Sequence, residues 1–233
     1  MLIHKGVAST QLDPKKILPI ARSIARGMLH LHRRLPPIFH RDLKPGNIFI
    51  GHGFVMKIGD FGMARYAVDR PRFQPQAGTN FSRDLGRTLT TGVIGTAAYC
   101  APEVLSPQTP KDKGRVDDAS AMLKADVYSF GVTLWELLER QRPFDGMDGF
   151  QIQTQWFLDP ESMRFEAPSI PSGLDNNAKQ IMEALCGLVT SCTSWNPEDR
   201  PDFHEILSII KSVGPEGGGS PIKNQHLASP FCG

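Results

Sequence analysis

From residue 13 to residue 32 the apolar positions Ile17, Ile20, Ile24, Met28 and Leu31 recur every three or four residues, which puts them on one face of a helix. Asp13 can cap its start, Pro14 suits its first turn, and Pro36-Pro37 bars its continuation. The period then shortens. Ile48-Phe49-Ile50 and Phe54-Val55-Met56-Lys57-Ile58 are strand-like runs joined by Gly51-His52-Gly53, which predicts a hairpin. From about 66 to 98 no period is sustained and Gly, Thr, Arg, Gln and Pro dominate. A loop that long in a compact domain is functional or disordered. Residues 106–124 are polar and turn-rich, the pattern of a surface insertion.

Asp126 opens a segment that is apolar almost all round, through Val127, Phe130, Val132, Leu134, Trp135, Leu137 and Leu138. Such a helix belongs in the middle of a core. Further helices are predicted over 175–191, through Ile181, Met182, Leu185, Leu188 and Val189, and from Asp202 through Phe203, Ile206, Leu207 and Ile210. Asp202 and Glu205 have the spacing of a capping box. Past residue 212 the run Pro-Glu-Gly-Gly-Gly-Ser-Pro reads as linker or tail, so 213–233 is expected to be disordered. No internal repeat is present. The expected fold is mainly α with a small β-hairpin in the first third.

Length and composition narrow this little. The 233 residues suit one domain or two small ones, and an apolar fraction of 40% is enough for a core. The net charge of +2 is too balanced to make nucleic acid or an anionic membrane the obligatory partner. No apolar run is long enough for a membrane span, and the N-terminal residues lack the apolar stretch of a signal peptide. Cysteines 100, 186, 192 and 232 form no Cys-x-x-Cys pair, so neither a zinc cage nor a disulfide framework is indicated. Reduced thiols in the cytoplasm or nucleus are the plainer reading.

The chemistry is concentrated in two short stretches. Residues 40–47 read His-Arg-Asp-Leu-Lys-Pro-Gly-Asn, and residues 60–62 read Asp-Phe-Gly. The hairpin between them folds Asn47 back towards Asp60. Asp42, Asn47 and Asp60 then offer oxygen atoms, and Lys44 a cation, at one strand end. Magnesium takes hard oxygen ligands and leaves positions for phosphate. A carboxylate can orient an attacking hydroxyl, and a lysine can offset charge on a moving phosphoryl group. This set suits phosphoryl transfer.

With Ala101-Pro102-Glu103 following in register, the chain resembles the eukaryotic protein kinases, matching their HRDLxxxN, DFG and APE motifs. The resemblance covers residues 1–212 and corresponds to the large C-terminal lobe alone. It implies ATP and Mg2+ as cofactors and a protein as substrate. By resemblance Asp42 is the catalytic base, Lys44 contacts the transferred phosphate, and Asn47 and Asp60 hold the metal. Lys44, Asn47, Phe49 and Asp60 then form the nucleotide side of the site. Lys44-Pro45 and Thr96, in Gly-Thr-Ala-Ala-Tyr, are similar to the serine/threonine enzymes, in which the threonine bridges base and lysine. Ala-Arg-Gly-Met-Leu-His-Leu-His and the Trp135 helix resemble the tyrosine-kinase-like group of serine/threonine kinases.

The same resemblance gives structural roles to other residues. Asp126 would hold the backbone of the catalytic loop, Arg200 would pair with Glu103, and His40 and Phe61 would stack in the hydrophobic spine. Arg41 and Arg65 would bind a phosphate on the activation segment, for which Thr88, Thr90 and Thr91 are candidate acceptors, with Ser82 further off. Cys100, beside the APE motif, reads as a packing thiol. The family's small lobe, with its GxGxxG strands, VAIK-type lysine and helix glutamate, is expected to be missing, because no GxGxxG occurs in the 233 residues. That leaves three expectations. The chain is the large lobe of a serine/threonine kinase that needs a small lobe or regulatory partner, a non-catalytic pseudokinase-like interaction module, or an unstable fragment.

Overall fold

A computed structural model describes residues 13–52, 55–67, 96–105 and 119–214. Helix α1 (Pro14–His32) starts where the sequence places it, with the Asp13 carboxylate accepting from the Lys15 amide at 2.9 Å. Its apolar stripe, Ile17 to Leu31, lies inward. Two-residue strand β1 (Ile38–Phe39) follows, then β2 (Ile48–Ile50) and β3 (Met56–Ile58), paired antiparallel with Phe49 opposite Lys57. This is the expected hairpin, its second strand shorter than the run of apolar residues implied. A second antiparallel pair, β1 with β4 (Arg65–Tyr66), was not legible. Helix α2 (Pro102–Leu105) is a single turn.

Helix α3 (Ala119–Glu139) corrects the last part of the reading of 106–124 as a turn-rich surface insertion. Ala119–Lys124 form its first turns, with Ala121 and Met122 buried, and 106–118 lies outside the described residues. Asp126 therefore sits within the helix rather than opening it. Along α3 both polar and apolar side chains are buried, as its all-round apolar pattern requires. Helix α4 (Gly149–Leu158) was not anticipated; it carries a full capping box between Asp148 and Gln151. Helices α5 (Asn176–Cys192) and α6 (Phe203–Val213) lie as read, capped by Asp175 and Asp202.

One core joins α1, α3, α5 and α6 through residues such as Met28, Phe130, Leu185 and Ile206. At Gly131 on α3 a Cβ would lie 2.7 Å from the Cys192 Cβ and 3.3 Å from its backbone carbon, so the α3–α5 crossing depends on a missing side chain. A second cluster, with Tyr128, Val132, Ile152 and Trp156, seats the segment 96–105 and α4 against the other face of α3. Among the described residues the fold is thus mainly helical, with two small antiparallel sheets. Among the described residues no helix is long and apolar enough to cross a membrane.

Candidate active site

The loop between β1 and β2 is held from beneath by α3. Asp126 is 1% exposed, and its Oδ1 accepts from the Arg41 amide at 2.8 Å while Oδ2 accepts from the His40 amide at 2.8 Å. His32, at the end of α1, donates from Nε2 to the same Oδ2 at 2.9 Å. A buried carboxylate needs such donors. Their effect here is to fix a strained backbone, because Arg41 has φ +66°.

His40 is fully buried. Its Nδ1 accepts from the Asp42 amide at 3.3 Å, so Nε2 carries the proton and donates to the Gly59 carbonyl at 3.1 Å. That bond ties the loop to the strand end before Asp60. The Phe61 ring meets His40 edge to face, at 5.3 Å and 63°, where the sequence led us to expect stacking; Phe61 is about half exposed.

The polar cluster sits on this base. Lys44 Nζ donates to both carboxylate oxygens of Asp42 at 2.9 Å and to the Thr96 hydroxyl at 2.8 Å. Asn47 uses both amide protons on Asp42, at 2.7 Å to its carbonyl and 2.8 Å to Oδ2. This fixes the amide orientation and leaves Asn47 Oδ1 as an oxygen donor for a cation. The Gly59 amide donates to the Asn47 carbonyl at 2.9 Å, which brings Asp60 to the next residue along. Asp60 has φ +60°, and its exposed carboxylate accepts from the Gly62 amide at 3.3 Å. Two hard oxygen donors, one amide and one carboxylate, fit a magnesium ion that also binds phosphate. Phe49 lies against Gly59, where a Cβ would come within 2.6 Å of its ring, and is 55% exposed.

Further along, Glu103 and Arg200 form a bidentate pair, 2.6 Å from Nη1 to Oε1 and 2.9 Å from Nη2 to Oε2. Arg200 also donates to the carbonyls of Ser194, Lys124 and Trp195 and stands 5.0 Å over the Tyr128 ring. Burial pushes the Cys100 thiol up to about 12, with the Asp42 charge adding to it, so it is not a nucleophile at neutral pH. The exposed Arg65 donates to the Ala64 carbonyl at 2.8 Å. Thr88, Thr90, Thr91 and Ser82 lie outside the described residues.

Three polar residues escaped the sequence reading. His32 gives no signal beyond being a histidine at a helix end. Tyr99 donates its hydroxyl to Glu136, and burial followed by that hydrogen bond raises the Tyr99 pKa. Glu136 did have a signal, as an acid in the middle of an apolar helix.

The protein kinase domain family matches residues 2–209. This chain belongs to the protein kinase family. Similar curated kinases include the serine/threonine-protein kinase CTR1 of Arabidopsis thaliana, 31% identical over 91% of this chain and 21% of that protein. The probable serine/threonine-protein kinase drkC of Dictyostelium discoideum is 31% identical over 88% of this chain and 22% of its own length. The receptor protein-tyrosine kinase CEPR1 of Arabidopsis thaliana is 30% identical over 93% of this chain and 20% of its length. The chain therefore spans about a fifth of the length of these kinases.

Proposed function

We propose that the chain carries the base, the phosphate lysine and the metal ligands of a serine/threonine kinase, and that it acts with a phosphate-covering lobe outside these 233 residues. The observation that carries this reading is Lys44, which bridges the Asp42 carboxylate and the Thr96 hydroxyl within hydrogen-bond distance. Asp42 would accept the hydrogen bond of a serine or threonine hydroxyl and hold it in line. Asn47 keeps that carboxylate from rotating, and Thr96 keeps Lys44 beside it. Asn47 Oδ1 and Asp60 would hold Mg2+, and bound ATP-Mg2+ supplies the phosphoryl group and offsets its charge.

Support for a covering lobe comes from the surface around the hairpin. Phe49, Ile50, Val55, Phe61 and Tyr66 are each about half exposed, apolar side chains that a docked lobe would cover.

The test is radiolabelled phosphate transfer to serine, threonine and tyrosine peptides, by the chain alone and with a docked kinase small lobe. Transfer to serine or threonine with the lobe, lost in Asp42→Ala, is expected. No transfer with a docked lobe would favour the non-catalytic module, and robust Asp42-dependent transfer by the chain alone would remove the need for a second lobe.

A further inference from the structure

Between Thr96 and Ala101 the buried apolar side chains are alanines. Ala97, Ala98 and Ala101 pack in the second cluster with Tyr128 and Val132 of α3. Single methyl groups interlock poorly, so this contact presses the segment onto α3 without fixing where along the helix it lies. Polar contacts supply that register. The Ser129 hydroxyl, in a side chain buried on α3, donates to the Tyr99 carbonyl at 2.8 Å, and the Tyr99 hydroxyl donates to Glu136. Ser129 and Glu136 stand about two turns apart on α3 and about 20° apart around it. Tyr99 is thereby held at its backbone and at its tip along one stripe of the helix.

The Ser129 hydroxyl has one proton and two acceptors in reach. The Tyr99 carbonyl is at 2.8 Å and the Ala125 carbonyl, one turn back on the same helix, at 3.2 Å. The shorter contact is the one that joins two elements. From there the path to the polar cluster is short. The Tyr99 amide donates to the Thr96 carbonyl at 3.1 Å, closing the turn, and the Thr96 hydroxyl accepts from Lys44 at 2.8 Å. Asp126, one turn before Ser129 on α3, holds the amides of His40 and Arg41 in the loop that carries Lys44. Helix α3 thus sets Lys44 and Thr96 against each other from two neighbouring positions.

We propose that Ser129 is a positioning residue for phosphoryl transfer: its bond to the Tyr99 carbonyl sets the Thr96 hydroxyl where it holds Lys44 beside Asp42. This rests on the kinase reading. Ser129 acts through Tyr99 and Thr96, not on the reacting atoms. Without its proton the Tyr99 carbonyl loses this donor, and the turn is free to slide on its alanine contact. Lys44 then loses one of the three acceptors that fix it.

Two measurements test this on the full chain. In the first, three-bond NMR couplings to the methyl groups of labelled threonines report their side-chain rotamers. Thr96 should hold one rotamer in the wild type and a mixture in Ser129→Ala, while Thr190 and Thr193 on α5 and just beyond it keep theirs. In the second, transfer to a short serine peptide is followed, with a docked small lobe, for Ser129→Ala, Thr96→Ala and the double variant. Ser129→Ala should lower kcat about fivefold and leave KM for ATP within about twofold. In the Thr96→Ala background it should lower kcat by less than about twofold, because its route to Lys44 is already cut. An unchanged Thr96 rotamer would overturn the proposal and leave the Ser129 proton with Ala125. So would an equal loss of kcat in both backgrounds, a rise in KM with kcat unchanged, or rotamer mixing that extends to Thr190 and Thr193. Absence of transfer by the wild type with the lobe would overturn the kinase reading instead, while the couplings still decide whether Ser129 places Thr96.

Discussion

Arg200 shows what one buried side chain can hold. Its guanidinium serves the Glu103 carboxylate and three backbone carbonyls while being 1% exposed. Arg200→Ala would strand a buried carboxylate and should destabilise the protein by about 3–5 kcal/mol, read from urea unfolding. A loss below half a kcal/mol would mean that the pair is solvated. At Cys100 the expectation concerns chemistry. Burial raises its thiol pKa well above the usual range, so little of it ionises at pH 8. Iodoacetamide at that pH should modify Cys100 more slowly in the native protein than after unfolding, and equal rates would contradict the raised thiol pKa. That Asp42, Lys44 and Asn47 come together was legible, because their types and short spacing along one loop mark them as a group. His32 and Tyr99 act by touching residues far away in sequence, and spacing along the chain holds no trace of that contact.

At the scale of elements, two glycines make opposite predictions. Gly131 faces Cys192 and Thr193 across the α3–α5 contact, with no room for a methyl group. Gly131→Val should force the helices apart and destabilise by about 1–3 kcal/mol. Gly187, exposed on α5, has nothing within 4 Å of its would-be Cβ. There alanine lowers the conformational entropy of the unfolded chain, and Gly187→Ala should stabilise by roughly 0.5–1 kcal/mol. Thermal unfolding of both variants checks the pair, and equal signs would contradict the packing at Gly131. Helices α1, α5 and α6 were readable because one face is apolar and the start is capped. Helix α4 was not, because apolar residues on both faces erase the period, and β1 and β4, at two residues each, are too short to have one.

Across the described residues, the two clusters share α3, which carries Asp126 to the loop of His40 and Arg41 and Glu136 to Tyr99. The loop that holds Asp42 and the segment that holds Thr96 are thereby tied to one helix. Phosphoryl transfer depends mainly on positioning, and alignment of reactants can supply roughly 7–11 kcal/mol in well-oriented systems. On the proposed reading, in which a covering lobe completes the cleft, the chain alone should bind ATP-Mg2+ weakly and turn over little. It should also bind a hydrophobic dye at the surface around Phe49 and Phe61 and release it when a small lobe docks. Dye fluorescence unchanged by the lobe would show that it does not cover this surface.

The pair between Glu103 and Arg200 also sets an order of events at the ribosome. The two residues are 97 positions apart. At roughly 5–20 residues per second, Glu103 is synthesised about 5–20 s before the cation that neutralises it. Through that interval burial of the ionised carboxylate lacks its partner, so docking of the segment from Thr96 to Leu105 is disfavoured until Arg200 arrives. A nascent chain stalled after this segment has emerged but before Arg200 should therefore expose it to proteases, and a stall beyond Arg200 should protect it.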